Sequence, residues 1–117
     1  DMTAEGGLML HSMPNQGCYD HGFFNYHPTF VFDLAHANQY QVHAVVYVDM
    51  LQKPPTISNI DRVRYVEMAL ERKLSVQSGL LVCMRKTVDA PFAVPQQGYY
   101  ANHLPEHLRA AWEKLEK

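Results

Sequence analysis

A chain of 117 residues makes about one domain, and with 47% hydrophobic and 19% charged residues it is globular material rather than a disordered polymer. A net charge of −2, with lysines and arginines scattered along the chain, does not make the electrostatic footprint of a nucleic-acid binder. No apolar run approaches the ~20 residues of a membrane-spanning helix, no signal peptide opens the chain, and the two cysteines, Cys18 and Cys83, give no disulfide framework, so the expectation is a reduced, cytoplasmic protein.

The opening DMTAEGGLML meets a glycine pair and runs straight into an apolar stretch. It reads either as a short disordered N-terminus or as the later part of a longer domain. Gly7–Met13, bounded by Gly-Gly and Pro14, predicts a strand buried on both faces. The connection NQGCYDHGFFNYHP, Asn15 to Pro28, follows. From Pro28, PTFVFDLAHANQY predicts a helix, because a proline in the first turn forfeits no hydrogen bond. Phe30, Leu34 and Ala37 fall on one stripe of that helix, with Val31 and Ala35 beside it.

Gln41–Met50 is β-branched and aromatic and predicts a second strand. QKPPT breaks the chain. Ser58 is the expected N-cap of a second helix, with Asp61 completing a version of the capping box. Gly79–Lys86 predicts a third strand. A final helix over about Pro105 to Glu116 is expected to bury Leu108, Ala111, Trp112 and Leu115.

Strands alternating with helices predict an α/β layer. The expected architecture is a partial, Rossmann-like three-strand sheet with covering helices, over residues 1–92. Residues 93–117 form a tail with a C-terminal helix. Three strands are few, and an apolar edge strand invites pairing with another chain. Completion of the sheet by homodimerisation through the exposed first strand is therefore expected.

The long connection leaves the carboxyl end of a strand, the side on which open α/β sheets bind ligands. Loops of that length are more often functional than idle. Two readings stand side by side: a set of polar groups facing a substrate, and an aromatic cover whose His21 and Asn25 bond only their own backbone.

Glu5-Gly6-Gly7, Pro14, Asp20-His21-Gly22-Phe23-Phe24-Asn25, Pro28-Thr29 and Ala35-His36-Ala37-Asn38-Gln39-Tyr40 stand in one continuous run. That run resembles the segment of class I S-adenosylmethionine-dependent methyltransferases that starts at their fifth strand, in one bacterial group of these enzymes. Gln39 stands where that group often has glycine. The resemblance covers the first third of the chain.

It implies the substrate-side portion of a methyltransferase. The family's glycine-rich turn, which lets the backbone approach the cofactor, has no counterpart here. S-adenosylmethionine belongs to the full-length family; no cofactor is expected to bind this chain alone, and activity is not expected of it. The resemblance implies His21, beside Asp20, as general base, with His11 second, since an imidazole titrates near neutrality. Tyr19, Phe23, Asn25 and Tyr26 are the expected substrate-binding residues.

Two other readings remain open. One is a small dimeric α/β module that holds a small ligand in the aromatic loop. The other is a metal-dependent enzyme using His21, His27, His36 and Asp33, whose spacing matches no established ligand pattern. Cys18 lacks an identifiable base and oxyanion site. Cys83 reads as an inert core residue.

Overall fold

The computed structural model describes residues 2–20, 22, 24–97 and 104–115. In chain order its elements are β1 (Leu8–Gln16), α1 (Pro28–Ala37), β2 (Tyr40–Asp49), β3 (Thr56–Asn59), α2 (Arg62–Leu70), β4 (Ser78–Lys86) and α3 (Glu106–Leu115). The class is mixed α/β, as alternation predicted, but the described sheet has four strands rather than three, in the order β1-β4-β2-β3. The added strand pairs Thr56 with Asp49 and Asn59 with Val46. Four residues are too few to carry a periodic signal, although Thr56 and Ile57 are β-branched.

Ser58 consequently lies in β3 and caps nothing. Asp61 is the N-cap of α2, its carboxylate accepting from the Arg64 N–H at 2.7 Å. One of the helix's orphan donors is satisfied in this way.

Every neighbouring pair in the sheet is antiparallel. Because β1 and β2 each run antiparallel to β4, they run parallel to each other. Two parallel strands cannot be joined by a tight turn and need a crossover, which α1 supplies. The last strand then returns antiparallel into the gap between them. This differs from a sheet of adjacent parallel strands, yet its first half is a split crossover unit.

One face of the sheet makes the core. Leu80, Val82 and Met84 of β4 point inward with Val45 and Tyr47 of β2, against Val31 and Ala35 of α1 and Tyr65 and Met68 of α2. The buried stripe of α1 is Pro28, Val31 and Ala35, so the predicted stripe is shifted: Phe30 is exposed. α3 packs on α2 and buries Leu108, while Trp112 and Leu115 remain exposed. Glu116 lies outside the described residues.

The opposite face is bare of described helices. Leu8, Leu10, Leu81 and Ile57 are all exposed there, Leu10 at 75%, and Cys83 is half-buried among them rather than in the core. Among the described residues, no strand pairs with the outer edge of β1.

Candidate functional site

β1 extends through Pro14 to Gln16, with an irregularity in its register between Pro14 and Gln16. Its end hands over to the long connection. The Tyr26 N–H donates to the Pro14 carbonyl at 2.8 Å, which ties the far end of the connection beside the strand it left. Tyr26 and Phe30, one α-helical turn apart across the helix start, lie with ring centroids 6.1 Å apart and planes tilted by 46°, a geometry favourable for aromatic pairs.

The C-terminal tail supplies a second wall. Asn38, buried at the end of α1, donates its amide to the Ala93 carbonyl at 2.9 Å and accepts from the Ala93 N–H at 2.8 Å. That reciprocal clamp places the following residues, Pro95, Gln96 and Gln97, opposite the loop. The cleft between them holds about 350 Å³ and is lined by Phe24, Asn25, Tyr26, His27, Thr29 and Phe30 on the loop side, with Asp33. A space of that size suits a small molecule. Asp33 is neutralised from below by Arg62, whose guanidinium also lies 5.9 Å from the centre of the Phe32 ring.

Behind the cleft a buried polar chain runs through the fold. The Asn15 amide donates to the Ser78 hydroxyl at 2.9 Å. The Tyr65 hydroxyl donates to Asn15 Oδ1 at 3.4 Å and lies 3.3 Å from His27 Nδ1. Asn15, Ser78 and Tyr65 are buried, whereas His27 is exposed at the cleft. Burial pushes the Tyr65 phenol above its ordinary value, and the Asn15 hydrogen bond only partly opposes this. The phenol therefore keeps its proton through the neutral range.

Of the expected site residues, Asn25 and Tyr26 line this cleft. Tyr19 is 84% exposed and does not line it. His11 sits exposed on β1, beside Leu10, Ala44 and Leu81 in a shallow depression of the sheet. It is part of a different surface because β1 carries it along the sheet before the loop begins. His21 and Phe23 lie outside the described residues. Among the described residues, no three His, Cys, Asp or Glu side chains are grouped to hold a metal ion; Asp33 is taken up by Arg62.

Sequence reading missed His27 as a cleft residue, along with Asp33, the Tyr65–Asn15–Ser78 chain and the Pro95–Gln97 wall. The partners in that chain are 38, 50 and 63 residues apart, so no local pattern announces them. The chain matches no protein-family model, no curated protein and no solved structure.

Proposed function

We propose that this chain is the substrate-facing portion of an S-adenosylmethionine-dependent methyltransferase of Rossmann-like fold, lacking the cofactor-binding half and inactive alone. The observation that carries the reading is the split crossover: β1, α1 and β2 form a parallel unit whose outer edge and one face are left open among the described residues. Doubly wound sheets have both faces covered and strands continuing beyond such an edge. The bare face with Leu10, Leu81 and Ile57 is the kind of surface that helices of a further half would cover. The aromatic cleft lies at the carboxyl end of β1, where α/β sheets take their ligands.

A detail at the end of α1 supports the same reading. Gln39 has a φ of 55°, the left-handed conformation that helix ends prefer to give to glycine. That is the position at which the resembled group often carries glycine.

The residues present do not fit the cofactor itself. The turn entering α1 presents Pro28, which has no N–H to offer, at the first position. Gly17 is backed closely by the Val76 carbonyl and Gln77, so it opens no cradle. The expected result of calorimetric titration with S-adenosylhomocysteine is no saturable binding to the folded chain. Binding with the ~2.7 kcal/mol of stabilisation due at a hundredfold the dissociation constant would overturn the reading.

The outer edge of β1, at the end of the described sheet, also favours a second reading: a homodimeric α/β module that pairs through this strand with a second copy and binds a small ligand.

A further inference from the structure

The polar chain behind the cleft fixes the state of one ring. Asn15 Oδ1 is a buried acceptor, and among the described residues only the Tyr65 hydroxyl donates to it. Leaving such an acceptor unmet is costly, and a phenol has one proton to give. With that proton committed to Asn15, the Tyr65 oxygen can only accept from His27. His27 therefore carries its hydrogen on Nδ1, because the bond made by one ring nitrogen decides the tautomer. Nε2 is left as a bare lone pair, and no hydrogen bond among the described residues engages it.

A fold that buries three polar groups in sequence to orient one exposed histidine has pre-organised an acceptor. Its surroundings describe what it would accept from. Phe24, Tyr26 and Phe30 offer aromatic surface, suited to a flat ring. The carboxylate nearby is already neutralised by Arg62, so no cation is called for. We infer that the cleft binds a neutral planar aromatic molecule bearing a hydroxyl group, whose O–H donates to His27 Nε2, with Tyr65 and Asn15 as positioning residues. The inference rests on the function proposed above only in calling that molecule a substrate; the cleft and its acceptor do not depend on the cofactor half.

Two probes that differ in one hydrogen-bond donor test it on the full chain: p-cresol and its methyl ether, 4-methylanisole. Nitrogen NMR of labelled histidine is expected to show His27 protonated on Nδ1, and Tyr65→Phe to release that preference. In the same spectra p-cresol is expected to bind about tenfold more tightly than 4-methylanisole, the ~1.4 kcal/mol equivalent of one well-placed hydrogen bond. His27→Ala should abolish the difference while leaving the fold intact, since the His27 side chain makes no cap bond to α1. Equal affinities, absence of binding by both probes, or an Nε2-protonated His27 would each overturn the inference. None of these results bears on the titration with S-adenosylhomocysteine, so the two claims fail separately.

Discussion

Leu80→Ala is expected to destabilise the protein by about 3 kcal/mol, within the range for large-to-small changes in a close-packed core. Leu80 is 1% exposed. It sits on β4, the strand held between β1 and β2, so the cavity would open beneath both helices where neighbouring strands leave little freedom to collapse. Small domains have a total stability of only ~5–15 kcal/mol, which makes this a large fraction. The neighbour in sequence is the control. Leu81 points to the bare face and is 46% exposed; Leu81→Ala should cost less than about 1 kcal/mol, because little of its surface leaves water on folding. Urea midpoints at equal slope measure both. Similar losses at the two positions would mean that the far face is also covered.

Arg62→Met is the second large effect. Asp33 belongs to α1 and Arg62 to α2, and their side chains are 7% and 13% exposed. The ion pair therefore ties the two helices under the cleft, out of reach of most solvent. Removing the cation leaves a carboxylate in a site built for a pair, and breaking one side of such a pair costs about 3–5 kcal/mol. A double variant, Arg62→Met with Asp33→Leu, should regain most of that loss, because no isolated charge remains. A single variant that unfolds at the wild-type urea midpoint would show that the pair is solvated and contributes little.

The strands and helices that carry strong local patterns were legible in the sequence. The apolar run at Gly7–Met13, the proline start at Pro28 and the β-branched stretch at Gln41–Met50 all correspond to elements of the structure, because each is decided by residues within one window. What was not legible depends on partners far along the chain. β3 exists because Thr56–Asn59 can pair with β2 across a turn, and four residues carry little evidence of their own. Spacing alone places Phe30 on the buried stripe of α1, whereas the helix is rotated so that Asp33 meets Arg62 and Phe30 faces the cleft.

The candidate site divides in the same way. The loop's composition pointed to the carboxyl end of β1, and Asn25 and Tyr26 line the cleft there. His27 had no distinguishing neighbour in sequence. Its role comes from Tyr65 of α2, whose hydroxyl reaches both His27 and Asn15 of β1 across the fold. His11, chosen for its place near the end of the first strand, is carried away because β1 continues to Gln16.

On the proposed reading the outer edge of β1 is an open seam at which a further half of the sheet would add. Amide hydrogen exchange along Leu8–Gln16 tests it most directly. In an antiparallel pair every second residue of β1 bonds to β4, and the N–H groups between them point outward. An open edge gives slow exchange at the first set and rapid exchange at the outward set, unchanged across protein concentrations from micromolar to millimolar. Protection of the outward amides that grows with concentration would contradict it. That result would mean the edge is already paired with a second copy, and the chain would be the dimeric binding module instead.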